Sequence, residues 1–212
     1  VSRLTPDAPV AELEPYLASR LAALGPFPDE ATRSDFDLNP HGRVTGRVLT
    51  PAAVLVPLVE RPSGLTVLLT RRSDSLKRHS GQVAFPGGKA EPGETPAETA
   101  LRETFEEIGV DPRFIRPIGM ADTYETGTGF AITPVVAFAA PDFAIVRHEA
   151  EVAEVFETPF AFLMDPGNHE LRVMKAADGL ERRFYAMPHE ERTIWGATAG
   201  IVRGLYDRWF GS

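Results

Sequence analysis

The chain has 212 residues, 43% hydrophobic and 25% charged, enough for one globular domain of fair size with an ordinary core. Its 22 basic and 30 acidic residues leave a net charge of −8, which argues against a general nucleic-acid binder but not against a small anionic substrate. It has no cysteine, which excludes disulfides, thiol catalysis and zinc-finger chemistry, and fits a reducing compartment.

No apolar run is long enough to span a membrane. Asp7, Glu12 and Glu14 interrupt the apolar residues of the first twenty, so no signal-peptide core forms there, and a cytoplasmic protein is expected. Val10, Leu13, Leu17, Leu21 and Leu24 share one helical face and predict a helix over 9–24, ended by Gly25-Pro26. Pro15 falls inside it and either starts or kinks it. Residues 25–50, rich in Pro, Gly, Asp and Arg, read as a long connection with a short edge strand over Arg43–Leu49. We divide the chain into an N-terminal helix and connection, 1–45, and a main domain, 46–212.

The apolar run Ala52–Glu60 predicts a buried strand. Leu65–Thr70 returns after the turn Arg61–Gly64 and makes a hairpin with it. Arg71, Arg72, Lys77, Arg78 and His79 then form a basic cluster in an acidic chain. It is either a ligand-facing loop or a solubilising one.

The stretch from Phe85 to Val110 organises the rest. Pro86-Gly87-Gly88 and Pro92-Gly93 are turns. Thr95, Pro96 and Glu98 make a capping box with proline at the first helical position, and Gly109 is a C-terminal stop. Ala97, Ala100, Leu101, Thr104, Phe105 and Ile108 recur at helical spacing as the expected buried stripe. Glu103, Glu106 and Glu107 stand at i, i+3 and i+4, with Cβ atoms about 5–6 Å apart. They repel one another and sit near the negative end of the helix dipole. A hard divalent cation, Mg²⁺ or Mn²⁺, would reverse both terms; a solvated face is the other reading of such a cluster. Arg102 and Glu94 can tie the helix to the preceding loop.

Ile115–Thr123 and Ile132–Ala139 predict strands, joined by the Gly-rich link Tyr124–Phe130, which is either a plain turn or a substrate contact. Glu149, Glu151, Glu154 and Glu157 flank Val152, Val155 and Phe156 in a strand with one polar face. One of these carboxylates, or His148, is a candidate general base. A short helix over Pro159–Met164 and a hairpin around Asp178-Gly179 follow. Ile194, Ala197, Ile201, Leu205 and Trp209 then predict a C-terminal helix that caps the sheet.

Gly88, Glu94, Arg102-Glu103, Glu106-Glu107, Gly109 and Val110 stand at spacings that resemble the Nudix box, the signature of the Nudix hydrolases, over residues 88–110. Thr104 takes a position where an aliphatic residue is usual and can pack through its methyl group. The resemblance implies an α/β/α sandwich with a mixed sheet and metal-dependent hydrolysis of a nucleoside diphosphate linked to another group. It implies Glu103, Glu107, Glu106 and the Gly87 carbonyl as metal ligands, with Glu103, Glu106 and Arg102 in catalysis.

Upstream, Leu68-Leu69-Thr70, Arg72-Ser73, Lys77, Gly81 and Phe85–Gly88 resemble the motif that precedes the box in coenzyme A diphosphatases. Lys77 replaces the usual arginine, keeping the charge but losing the planar fork. Ile194–Ala199 resembles the end of the same proteins, where its role is chiefly structural. The upstream motif implies coenzyme A or acyl-coenzyme A as substrate, with Arg72, Lys77 and Arg78 on its phosphates. The alternatives are a hydrolase of ADP-ribose or another nucleoside diphosphate derivative, and a non-catalytic nucleotide-sensing module. The expected partner is a small molecule, not nucleic acid or membrane, with a homodimer as a candidate assembly.

Overall fold

The apolar run at 52–60 becomes the middle strand of a mixed sheet with helices on both faces. The computed structural model describes residues 4–43, 46–74, 81–175 and 179–211. Within them the chain runs α1 (Val10–Ala18), β1 (Arg33–Ser34), β2 (Thr50–Arg61), β3 (Gly64–Arg72), β4 (Val83–Ala84), β5 (Gly87–Lys89) and α2 (Pro96–Ile108). It continues with β6 (Ile115–Met120), β7 (Tyr124–Glu125), β8 (Phe130–Ala139), β9 (Val152–Pro159), α3 (Phe160–Leu163), β10 (Glu170–Lys175), β11 (Glu181–His189), β12 (Arg192–Trp195) and α4 (Ala197–Trp209).

The main sheet has the order β1-β7-β8-β2-β3-β4, with β5 also on β2, β6 on β8 and β9 on β3. β2 runs parallel to β8 from Thr50 to Val59. On its other side, its first half pairs with β5 and its second half with β3. That division docks the Pro-Gly-Gly turn against the start of β2. Alternate residues of the strands point to opposite faces. Ala53, Leu55, Leu68, Val135 and Ala137 pack with Ala100 and Ile108 of α2. Val56, Leu58, Val67, Leu69, Val136 and Phe138 pack with Leu13 and Leu17 of α1, Phe160 of α3 and Val202 and Leu205 of α4. The result is the α/β/α sandwich that the sequence implied.

α2 begins at the expected capping box, with the Thr95 hydroxyl accepting from the Glu98 amide and the Glu98 carboxylate from the Thr95 amide. Gly109 closes it in the left-handed region at φ 71°. Thr104 is buried because its hydroxyl donates back to the Ala100 carbonyl at 2.6 Å. The buried stripe differs from expectation at Phe105, which is 53% exposed. The face toward the sheet is set by Ala100, Thr104 and Ile108, and Phe105 is turned about 100° from Thr104.

Three other expectations change. α1 ends at Ala18 with Pro15 inside it, because Ala22 exchanges two hydrogen bonds of 2.9 Å with Met120 and draws the chain out as an extended edge. Leu24 is accordingly 45% exposed. Of the edge strand expected over Arg43–Leu49, residues 44–45 lie outside the described residues and Arg43 and 46–49 are not strand; the connection's short strand is instead β1, parallel to β7. Ile194 lies in β12 rather than in the last helix, because Gly196 at φ 66° breaks the chain before Ala197. β10, β11 and β12 form a separate antiparallel sheet. Among the described residues no helix is long and apolar enough to cross a membrane.

Candidate active site

α2 carries its glutamates past the docked Pro-Gly-Gly turn. Gly87 has φ 151°, and a Cβ there would run into the backbone of Ala53 and Val54, so only glycine lets the turn sit this close to β2. The Gly87 amide donates to Glu107 Oε2 at 3.1 Å. The Glu103 carboxylate lies directly over Gly88, where an added Cβ would stand 2.5 Å from it. Glu107 is buried, and burial pushes its carboxyl up to about 7. The Gly87 N–H and the Arg72 charge pull it down, whereas Glu103 and Glu151 push it further up. Burial also raises Glu103, opposed by the hydrogen bond from Arg102.

Arg102 is the clamp of the loop–helix unit. Its Nε and Nη2 reach Glu94 at 2.7 and 3.0 Å, Nη1 reaches Glu103 at 2.9 Å and Glu106 at 3.1 Å, and Nη2 reaches the Lys89 carbonyl at 3.1 Å. Arg102 holds the Glu94 carboxyl down at about 2, helped by the Glu91 amide and the Thr99 hydroxyl. Glu106 thus faces Arg102, with 57% of its side chain exposed, while Glu103 and Glu107 face the turn.

Arg72 comes from the end of β3, where the register with β9 shifts between Arg71 and Arg72. Such an irregularity re-aims a side chain: Arg71 goes to Glu154 at 3.6 Å, and Arg72 to Glu107 at 3.9 Å. Arg72 Nε is buried without a hydrogen-bond partner among the described residues. Lys77 and Arg78 lie outside the described residues, as does His79.

The structure sorts the acidic stretch. Glu157 is bound to Arg61 and the Thr66 hydroxyl, and Glu154 to Arg192 and Arg71. Glu149 is 85% exposed at its side chain. Glu151 is the one whose charge acts on both Glu103 and Glu107. The His148 amide donates to the Glu107 carbonyl and the Val146 amide to the Ile108 carbonyl, which fastens this segment to the end of α2. His148 Nδ1 is 3.2 Å from Glu151.

The donor set at the Gly87-Gly88 turn is all oxygen and suits Mg²⁺ or Mn²⁺ in kind. Burial disfavours the charged forms of Glu103 and Glu107 there, a cost that a bound cation would offset. Among the described residues no group of three or more His, Asp or Glu is drawn together closely enough to hold a metal ion as the side chains stand.

Beside the turn opens a cavity of about 490 Å³. Arg72, Gly87, Gly88 and Lys89 line one side, and Trp195, Gly196, Ala197 and Thr198 another. Thr126, Thr128 and Phe130 of the Gly-rich link also line it, so that link reaches the cleft. Sequence reasoning missed Asp35 and gave Trp195 only a structural part. Neither carries a local signal: Asp35 is held by the distant Tyr124 and Gly127, and Trp195, on the β11–β12 hairpin, faces the distant Arg72 and Gly87 across the cavity.

The chain matches the NUDIX domain family over residues 49–190. It is 41% identical over 156 residues to a Yersinia enterocolitica protein named "Uncharacterized Nudix hydrolase NudL", covering 73% of this chain and 78% of that one. The protein of that name from Escherichia coli K12 is 41% identical over 157 residues, covering 73% and 80%. A crystal structure of a Nudix hydrolase from M. smegmatis, RenU, aligns with a TM-score of 0.47 and 27% identity over 55% of this chain and 80% of that chain. The family match spans the sheet and the glutamate helix together, and with the identity to the NudL proteins it makes this chain a member of the Nudix hydrolases, acting on a pyrophosphate bond.

Proposed function

We propose that the enzyme hydrolyses the diphosphate of coenzyme A or acyl-coenzyme A to adenosine 3′,5′-bisphosphate and 4′-phosphopantetheine, which keeps the acyl group where the substrate carries one. One observation carries this reading. The two stretches outside the Nudix box that resemble coenzyme A diphosphatases, around Arg72–Gly88 and Ile194–Ala199, meet in one cavity beside the box. The Thr198 hydroxyl ties them together by donating to the Val83 carbonyl at 3.0 Å.

Glu103 and Glu107, with Glu106 and the Gly87 carbonyl, are the groups that would hold Mg²⁺ or Mn²⁺. The bound ion would polarise the phosphoryl oxygens and lower the pKa of the attacking water. Arg102 holds the Glu103 and Glu106 side chains in place. Arg72 offers a guanidinium to the diphosphate, and Lys77 and Arg78 are proposed to do the same. Glu151 is the proposed general base, because Glu154 and Glu157 are committed to arginines. The apolar wall formed by Ala52, Val54, Phe130, Ile132 and Ile201 suits the pantetheine or acyl arm.

The test is a panel of coenzyme A, acetyl-coenzyme A, ADP-ribose and other nucleoside diphosphate derivatives with Mg²⁺, scored by products. A kcat/KM higher on coenzyme A than on ADP-ribose is expected. A ratio below one sinks the coenzyme A assignment, and no turnover of any member sinks catalysis.

A further inference from the structure

The cavity beside the Pro-Gly-Gly turn does not end at Trp195. A smaller hollow of about 190 Å³ continues from it and shares Asp35, Trp195 and Gly196 as common walls. The three-stranded sheet walls it, with Arg182 and Phe184 on one side of β11 and Arg183 and Tyr185 on the other. The registers set Met174 opposite Arg182 and Ala186 opposite Trp195, so Met174, Arg182, Phe184 and Trp195 lie on the same side. Phe184 and Trp195 meet edge to face, with centroids 5.8 Å apart. Arg182 and Arg183 close the end away from the main cavity, where the hollow opens into an outer groove beside His41 and Gly42. The Arg182 guanidinium lies against Gly42 so tightly that an added Cβ there would stand 2.6 Å from Nη1. The glycine leaves the room in which that cation sits.

The charges are graded along the hollow. Asp35 is the only carboxylate lining it among the described residues, and it stands at the junction with the main cavity. It accepts from the Tyr124 hydroxyl at 2.9 Å and the Gly127 amide at 2.7 Å, which fixes it there. An anion is therefore disfavoured at the junction and favoured at the far end. An aromatic surface lies between the two.

We propose that this hollow is a second subsite, which takes the nucleoside end of the substrate when its ribose carries a further phosphate. The base packs on Trp195 and Phe184, and the additional phosphate binds Arg182. This rests on the proposed coenzyme A reading and moves recognition of the 3′-phosphate away from the basic cluster at Arg71–His79. That cluster keeps the diphosphate.

The experiment compares kcat/KM on coenzyme A and on dephospho-coenzyme A for the unmodified enzyme, Arg182→Ala and the control Arg113→Ala, on the exposed turn after α2. Charge-assisted hydrogen bonds imply that Arg182→Ala lowers the ratio of the two efficiencies roughly tenfold to a hundredfold, through KM. Arg113→Ala should leave the ratio unchanged. In parallel, adenosine 3′,5′-bisphosphate and AMP are titrated onto the protein without turnover. The bisphosphate should bind more tightly, and Arg182→Ala should erase the difference. An unchanged ratio, or a bisphosphate advantage that survives Arg182→Ala, overturns the subsite. If neither coenzyme A compound is hydrolysed, the substrate reading fails alone and the two titrations decide the subsite.

Discussion

The Gly87 amide donates to the Glu107 carboxylate at 3.1 Å, across twenty residues of sequence. This bond joins the turn docked on β2 to the last turn of the glutamate helix. Its acceptor is buried, and among the described residues its ion-pair partner is Arg72, 3.9 Å away. The local structure therefore leaves a carboxylate short of positive charge beside the cavity that is proposed to take a diphosphate.

That shortage makes stability depend on pH and metal together. Glu107 titrates at about 7 in the folded chain, against an ordinary value of 4.5. The folded state binds this proton more tightly, so the stability it contributes is fully present below about pH 4.5 and is lost as pH rises through 7. A cation that binds only the ionised folded site counteracts the loss. The gain in Tm on adding millimolar Mg²⁺ should thus be larger at about pH 8 than at about pH 6. Thermal melts at both pH values check this, and an equal or smaller gain at the higher pH removes Glu107 from the ligand set.

Glu103→Gln and Glu107→Gln should each lower turnover by more than the roughly 10- to 100-fold typical of losing a metal's outer-shell partner. Folding should be kept or slightly improved, because each change removes one member of a repelling, desolvated cluster. Steady-state rates at saturating Mg²⁺ and a melting curve test both halves. Near-normal rates in either variant would falsify the metal assignment.

Gly88→Ala alters no charge, yet its Cβ would stand 2.5 Å from the Glu103 carboxylate. Glu103 must shift, and a displacement on the order of 1 Å at a reacting centre costs about a hundredfold in rate. The carboxylate is the end of a flexible side chain, so Tm should change little. Activity within a few-fold of the unmodified enzyme would show that the placement of Glu103 over the turn is not needed.

Glu151→Gln should reduce kcat by about 10²–10⁴-fold and remove the acid limb of the pH–rate profile, as loss of a general base does. Glu154→Gln and Glu157→Gln should keep that limb, because those carboxylates are occupied by Arg192 and Arg61. A profile unchanged in Glu151→Gln assigns the proton to another group.

Glu94 accepts from Arg102, Thr99 and the Glu91 amide, and its carboxyl lies at about 2 in place of 4.5. Its contribution to stability is present above about pH 4.5 and is lost as pH falls toward 2. The Tm difference between the unmodified protein and Glu94→Gln should therefore be constant near neutrality and shrink below about pH 4. A difference that persists unchanged at about pH 3 would place the effect in packing rather than in the charge.

The glutamate helix was legible in the sequence because everything that defines it is local. Thr95, Pro96, Glu98 and Gly109 set its ends, and a 3.6-residue repeat sets which of Glu103, Glu106 and Glu107 are neighbours. The same holds for the β2–β3 hairpin, whose long apolar runs flank a short turn. Tertiary structure alone decided that Glu107 is buried and Glu106 faces Arg102, that Phe105 is exposed, and that Ile194 belongs to a strand. It also decided that Glu154 and Glu157 pair with arginines while the Glu151 charge reaches Glu103 and Glu107, and that Asp35 and Trp195 wall the cavity. These outcomes depend on how separate segments fold against one another, from the Gly87 turn on Glu107, twenty residues away, to Arg72 on β3 with the C-terminal Trp195–Thr198 wall. A helix or turn is stabilised within a few residues, so its sequence records it. The sign and strength of a charge's environment are set by whatever chain folds against it, and no short stretch of sequence records that.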